Sequence, residues 1–435
     1  MAYSYSYVMR RFLTIALASA IFSEIVSAQT TLQLYAHHDS AAAAARRAGN
    51  WTAYGAEIPF LDSILNGHPN VRIVRARIGA HLGDTASAYA SLRDFAAMGM
   101  RRRIEADTDL VALRGTRSWN ALMERIAVNG ATVGHFTPAF AMPDSDFVAE
   151  DITWDPTGKR WLVSGIRRSV IVSVDRLGRQ ETLVRGADKG WGFLALAVDS
   201  ARNTLWATAE AIPLALGFDS TLAGKAAVFR YDLRDGSMLE RYDLPSSERH
   251  GAGDIAVAEN GDLFVADAAD GALFVIRKAG KLEVLVSKGE LMSPQGPAVS
   301  ADGRHLYLAD YARGIARIDR ANGKLDWLRH FRDMALNGID GLSIAGPHTL
   351  IGVQNGTNPN RLVRITLDDS GLNVTRVESI AQDESAIKEP THGVFVGRDY
   401  YFIANGGYGA FGDDGKLRSG ERAVAPVVAK IANLR

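Results

Sequence analysis

The sequence predicts a six-bladed β-propeller preceded by a short α-helical region. After residue 134, runs rich in Val, Ile, Leu, Phe and Tyr alternate with tight turns such as Asp-Gly, which is typical of an all-β fold. A unit of strand, turn and strand recurs at intervals of roughly 40 to 60 residues, the spacing of four-stranded propeller blades. The apolar strands of its six copies begin at Ile152, Leu196, Ile255, Pro297, Leu342 and Val394.

Composition narrows the classes of function. The chain has 435 residues, 47% of them hydrophobic and 23% charged, as in soluble globular proteins. The 49 basic and 49 acidic residues cancel, so there is no electrostatic case for binding nucleic acid or an anionic membrane. Because the chain has no cysteine, disulfides, thiolate metal sites and cysteine nucleophiles are excluded.

The first 28 residues have the features of a signal peptide. Arg10 and Arg11 precede an apolar stretch, Phe12–Phe22, that is too short to span a bilayer, and small residues follow it before Gln29. We therefore expect cleavage before Gln29 and a periplasmic or secreted protein with no further membrane association. The alternative interpretation is an uncleaved membrane anchor.

Residues 29–130 have helical periodicity. Gly49-Asn50 is followed 34 residues later by Gly83-Asp84, and each pair is expected to end one helix and open the next. This period resembles that of tetratricopeptide helix–turn–helix repeats, although an unrelated small helical bundle fits as well. Helices of this kind present surfaces to other proteins, so a protein partner is expected to bind here.

Residues 131–435 form the expected propeller domain. The C-terminal strand, Val427–Leu434, is expected to close the ring by pairing with the sixth blade. The segment Thr137–Met142 is expected to add the outer strand of that same blade.

Three segments of the propeller carry a family resemblance. SPQGPAVSADGRHLYLAD, from Ser293, and NGIDGLSI, from Asn337, resemble blades of the senescence marker protein/gluconolactonase/luciferin-regenerating-enzyme group. PTHGVFVGRDYYFIANG, from Pro390, resembles the last blade of that group. The resemblance, which runs from about Glu150 to the C-terminus, implies a metal-dependent hydrolase of lactones or related esters. Similar propellers also include strictosidine-synthase-like proteins and members without a known reaction.

Six residues, one from just before each inner strand, are expected to form a ring at the mouth of the central channel. Two places before the six apolar strands stand Glu150, Leu194, Gly253, Gln295, Asp340 and His392. The next position brings Asp151 and Asp254 from two of the blades. Oxygen-rich rings suit a hard divalent cation such as Ca²⁺.

The resemblance implies one divalent metal ion at this ring, with Glu150, Gln295 and Asp340 as ligands. A further ligand position of the family falls on Leu194, which cannot bind a metal. Water, His392 or Asp254 would then complete the site, and His392 would suit Zn²⁺ or Mn²⁺. Asp340 is the candidate general base and His392 the second candidate catalytic group. The competing interpretation is a solvated ring that has lost its metal.

Loops on the same face are expected to bind the substrate. The candidate residues are Arg167, Asp254, Tyr311, Asn355 and Tyr408, which together suit a small polar or anionic ligand such as a sugar lactone. Ordinary turns would also be rich in Asn and Gly for backbone reasons alone. The alternative function is a non-catalytic periplasmic propeller that binds a small molecule or another protein.

Overall fold

A computed structural model describes residues 29–186, 188–245, 249–278 and 280–435. The expected signal peptide lies outside the described residues. Within the described part of the chain, no helix is long and apolar enough to cross a membrane.

Two helical hairpins and a fifth helix form the N-terminal segment. Asn50 and Asp84 cap the second and fourth helices by accepting hydrogen bonds from the backbone N–H three residues on, both at 3.0 Å. Each follows a glycine with positive φ, Gly49 or Gly83, that ends the preceding helix. The helical prediction is confirmed, while the tetratricopeptide type stays a prediction. The helices are α1 (Thr31–Arg47), α2 (Trp51–Ile64), α3 (Pro69–His81), α4 (Thr85–Ala97) and α5 (Arg117–Val128), with a 3₁₀ turn at Thr108–Leu113.

The helical segment packs against the propeller. One of its two apolar clusters, which contains Leu92 and Phe95, includes Ala335 of the propeller. The other, around Tyr54 and Ile58, includes Met292. The two parts of the chain therefore share buried apolar surface, a feature that sequence periodicity does not reveal.

Six four-stranded antiparallel sheets form the propeller, as predicted. Strand β1 (Thr137–Ala141) follows the helical segment in the chain. Blade one contains β2 (Ala149–Asp155), β3 (Arg160–Gly165), β4 (Val170–Asp175) and β5 (Gln180–Arg185). Blade two contains β6 (Trp191–Asp199), β7 (Thr204–Ala211), β8 (Ala226–Asp232) and β9 (Met238–Asp243). Blade three contains β10 (Ala252–Val257), β11 (Leu263–Asp267), β12 (Ala272–Ile276) and β13 (Leu282–Val286). Blade four contains β14 (Pro294–Val299), β15 (His305–Asp310), β16 (Gly314–Asp319) and β17 (Leu325–Trp327). Blade five contains β18 (Ile339–Gly346), β19 (Thr349–Gln354), β20 (Arg361–Leu367) and β21 (Val374–Ala381). Blade six contains β22 (Gly393–Val396), β23 (Asp399–Asn405) and β24 (Val427–Ile431).

The ring of blades is closed by both ends of the propeller domain. Strand β1 pairs with β24, with Thr137 opposite Lys430, so the sixth sheet has the order β1-β24-β23-β22. Two segments about 290 residues apart thus share one sheet, and closure removes the free edge that an open array would present. The predicted closure is confirmed.

The inner strands start earlier than the sequence pattern indicates. In blades one to five, the pairing of the inner strand with its neighbour is interrupted by a bulge, for example between Ala149 and Ile152 and between Ile339 and Leu342. In these five blades the ring positions, expected ahead of the strands, lie inside the bulges, whereas His392 directly precedes β22. A bulge leaves residues unpaired and breaks the alternation of side chains.

Candidate functional site

Three ionisable side chains from different parts of the ring meet at one end of the channel. Glu150 in β2, Asp340 in β18 and His392 just before β22 each bring one potential ligand atom within 4.8 Å of the other two. Asp340 and His392 are buried, and Glu150 is partly buried. The structure thus brings together side chains from blades one, five and six, while Gln295 of blade four, also predicted to converge here, is not part of this cluster.

Each carboxyl group of this cluster has its own hydrogen-bond donor. The Tyr408 hydroxyl donates to Oε2 of Glu150, and the Asn355 amide donates to Oδ2 of Asp340 at 2.6 Å. Asn355 is itself held by the Pro390 carbonyl oxygen, which accepts from the same amide nitrogen at 2.7 Å. Two residues predicted to bind substrate therefore contact the acidic side chains directly.

The two carboxyl groups have raised pKa values. Burial raises the pKa of Glu150 well above its ordinary value, and the neighbouring Asp340 charge adds to this. Burial also raises the pKa of Asp340 to about 6, against the lowering effect of His392. A carboxyl group that titrates near neutrality suits general acid–base catalysis.

His392 lies between two oxygen atoms of other residues. Its Nδ1 lies 3.2 Å from the Glu150 carbonyl oxygen and its Nε2 lies 2.7 Å from Oδ2 of Asp254. Burial works against the charged form, but Asp254 and Asp151 outweigh it and raise the pKa of His392 well above its ordinary value. A protonated imidazole has no lone pair for a metal, so ligation by His392 would require loss of this proton. A ligand or catalytic role of His392 stays a prediction.

Asp151 and Asp254 lie deeper in the channel. Both oxygens of Asp151 accept backbone N–H groups at 2.6 Å, from Ile152 on its own strand and from Leu196 on the next blade. Burial raises the pKa of Asp151 to about 6. With His392, these two aspartates line an otherwise largely apolar cavity of about 230 Å³. Sequence reasoning assigned no role to Asp151, although its place after Glu150 in the ring register was the available signal.

Two further ring positions, Gln295 and Leu194, lie outside the acidic cluster. The Gln295 amide nitrogen lies 3.3 Å from the Ser293 hydroxyl, and metal ligation by Gln295 stays a prediction. Leu194 packs with Tyr408 and Phe411 in an apolar cluster beside Glu150. The side of the ring formed by blade two is thus apolar rather than liganding.

Arg167 and Tyr311, predicted to bind substrate, take part in loop packing. Nη1 of Arg167 donates to the carbonyl oxygens of Leu214 and Gly415 at 3.2 and 2.9 Å, and its guanidinium lies 4.6 Å from the centre of the Phe411 ring. The Tyr311 ring fills the space where Gly356 has no Cβ. The structure therefore gives both side chains a positioning contact, and substrate binding by either stays a prediction.

Acidic side chains outnumber basic ones at the site, which favours binding of a cation. Four carboxyl groups, those of Glu150, Asp151, Asp254 and Asp340, surround one imidazolium, His392. Buried carboxylates this close repel each other unless protons or a cation compensate. Oxygen donors of this kind are those that hard divalent ions prefer. The cluster of Glu150, Asp340 and His392 is therefore compatible with a divalent metal.

No protein-family model and no curated protein sequence matches this chain. Among solved structures, its fold is similar to the luciferin-regenerating enzyme, at 14% identity and a TM-score of 0.47 over 66% of this chain and 92% of that one. It is also similar to the gluconolactonase XC5397 of Xanthomonas campestris, at 14% identity and 0.45 over 70% and 92%, and to virginiamycin B lyase of Staphylococcus aureus, at 19% and 0.46 over 62% and 81%. At these identities and scores no activity is transferred to this chain.

Proposed function

We propose that this protein is an exported, divalent-metal-dependent hydrolase of lactones or related esters. The observation that carries the proposal is the pair formed by partly buried Glu150 and buried Asp340 at the channel end, each carboxyl held by a separate donor. The cavity of about 230 Å³ further along the channel is lined by Asp151, Asp254 and His392 and not by the pair itself, so the proposed substrate would bind at the open mouth of the channel.

The side chains have distinct parts in the proposed reaction. A divalent ion bound by Glu150 and Asp340 would polarise the ester carbonyl and make bound water more acidic. Asp340, with a pKa of about 6, is mostly ionised above neutral pH and can accept a proton from water. Asn355 fixes the Asp340 carboxylate in one orientation, and the His392 charge favours the developing negative charge on substrate oxygen.

A non-catalytic binding propeller is the second candidate. The apolar Leu194 at one ring position favours it, because the metal would have fewer protein ligands. The proposed export rests on the N-terminal Arg-Arg pair and apolar stretch, and a protein partner of the helices remains part of this second candidate.

The test is hydrolysis of a panel of sugar and aliphatic lactones by mature protein stripped with a chelator and reloaded with Ca²⁺, Zn²⁺ or Mn²⁺. Asp340→Asn and Glu150→Gln are expected to lower kcat/KM by about a hundredfold or more. Asp302→Asn, in an exposed turn of blade four, is the matched control and is expected to retain wild-type activity.

Three results would distinguish the candidates. Turnover that needs the metal and both carboxylates supports the hydrolase. Turnover that survives the chelator and Asp340→Asn contradicts it. Saturable metal or lactone binding without turnover on any substrate would favour the binding propeller.

A further inference from the structure

The loop between β19 and β20 links the candidate base to the helical segment. This blade-five loop, residues 354–361, begins beside Asn355, whose amide holds the Asp340 carboxylate at 2.6 Å. It ends at Arg361, which is only 4% exposed. The loop therefore has one end at the acidic cluster and the other at a buried cation.

The charge of Arg361 is solvated by the end of a helix. Its Nη2 donates to the carbonyl oxygen of Met98 at 3.0 Å and its Nη1 lies 3.5 Å from that of Gly99, at the C-terminus of α4. Its Nε donates to Oε1 of Gln354 at 2.7 Å. Among the described residues no carboxylate pairs with it, so the helix end, where carbonyl groups carry partial negative charge, is its counter-charge. The docked helical segment thus supplies both carbonyl acceptors of Arg361, while Gln354 of the propeller supplies the third.

Close approach at this contact depends on a glycine. Gly99 has φ of +76°, and a Cβ there would collide with Nη1 of Arg361. Gly83, which ends the preceding helix with φ of +78°, has no atom within 4 Å of its corresponding position. The two glycines share a backbone conformation, but only Gly99 is needed for contact with the propeller.

Further hydrogen bonds tie the same region to the helices. The Arg101 N–H donates to the Asn358 carbonyl oxygen at 2.6 Å, in the middle of the blade-five loop. The Asn337 amide, three residues before Asp340, donates to the Leu65 carbonyl oxygen at 2.9 Å. Gln354 in turn donates to the Asn337 carbonyl oxygen at 2.7 Å. The chain on both sides of the Asp340–Asn355 contact is thus hydrogen-bonded to the helical segment.

We propose that the helical segment is a positioning element for Asp340, acting through Arg361 and the blade-five loop. Its α4 end holds Arg361, Arg361 holds Gln354, and the adjacent Asn355 fixes the carboxylate. This inference rests on the proposed function for its consequence in catalysis, but the mechanical link is independent of it. Arg361 is a positioning residue and does not touch the reacting atoms.

The test compares Gly99→Ala with Gly83→Ala in the full mature chain. Both changes strain a left-handed glycine, but only Gly99→Ala displaces the Arg361 guanidinium. We expect Gly99→Ala to lower kcat at least tenfold with KM within threefold, and to speed amide hydrogen exchange at residues 337–341 and 355–360 at least tenfold. Gly83→Ala is expected to change kcat and these exchange rates less than twofold.

Equal effects of the two substitutions, or wild-type exchange at residues 337–341 in Gly99→Ala, would overturn the proposal. If Gly99→Ala does not fold, Arg361→Lys decides by the same exchange readout, because it keeps the charge but loses the forked contacts. Wild-type exchange in that variant overturns the proposal, and tenfold faster exchange supports it. A wild-type protein without any turnover would contradict the hydrolase function, while the exchange comparison would still decide on the link.

Discussion

Replacing Asp340 by asparagine should stabilise the metal-free protein at alkaline pH. Asp340 has its pKa raised to about 6 in the folded state, chiefly by burial. A group whose pKa is raised on folding favours the folded state fully only below its unfolded pKa, and that contribution is lost as the pH rises through the folded value. Above pH 6, therefore, the ionised Asp340 lowers the free energy of unfolding. Asparagine removes the charge and keeps an oxygen for the Asn355 amide.

The size of the effect follows from the shift. The pKa of an aspartate is ordinarily 3.8 and that of folded Asp340 is about 6, and each pKa unit corresponds to about 1.4 kcal/mol. The penalty at pH 8 is thus at most about 3 kcal/mol, and sharing of protons with Glu150 reduces it to about 1–3 kcal/mol. The penalty should shrink as the pH falls from about 6 and nearly vanish at about pH 4, because the folded and unfolded states then bind the Asp340 proton more equally.

The assay is urea unfolding of wild-type protein and Asp340→Asn in the presence of a chelator at pH 8 and pH 4. We expect the variant to have the higher free energy of unfolding at pH 8, with the difference mostly lost at pH 4. Added divalent metal should reverse the order at pH 8, because only the wild type retains both carboxylates. A variant that is destabilised equally at both pH values would refute the burial argument.

Three further substitutions test other contacts. Leu194→Asn should strengthen divalent-metal binding measured by calorimetry, because it adds an oxygen ligand at the apolar ring position. The lost packing should lower the free energy of unfolding by about 1–2 kcal/mol. Unchanged metal affinity would place this position outside the metal site. Asn337→Ala leaves two buried carbonyl oxygens without a donor and should cost about 2–3 kcal/mol in urea unfolding, and a cost below about 0.5 kcal/mol would contradict the described docking of the helices. His392→Gln leaves Asp254 without its cation and should destabilise the protein by about 3–5 kcal/mol at pH 7, whereas a neutral effect would show that the pair is not charged.

The fold was predictable because propeller blades repeat a local pattern. The alternation of apolar and polar residues, the turns and the six copies are all visible along the chain, and they also predict that β24 and β1 close the sixth blade. The helix ends at Asn50 and Asp84 were predictable for the same reason, since capping is a local interaction.

The site was predictable only where it follows the blade register. Glu150, Asp340 and His392 occupy equivalent positions in their blades, so the repeat itself brings them together. The partners of these groups come from loops, whose paths the periodicity does not specify, and Asn355 and Tyr408 were therefore expected to contact substrate rather than the acidic groups. The docking of the helical segment on Arg361 depends on contacts more than 260 residues apart and left no signal in the local sequence.

Metal binding by Glu150 and Asp340 is best tested by elemental analysis of purified mature protein beside Asp340→Ala and the exposed control Asp302→Asn. We expect close to one equivalent of a divalent metal in the wild type and in Asp302→Asn, and its loss in Asp340→Ala. Metal-free wild-type protein that also gains no thermal stability from Ca²⁺, Zn²⁺ or Mn²⁺ would contradict it.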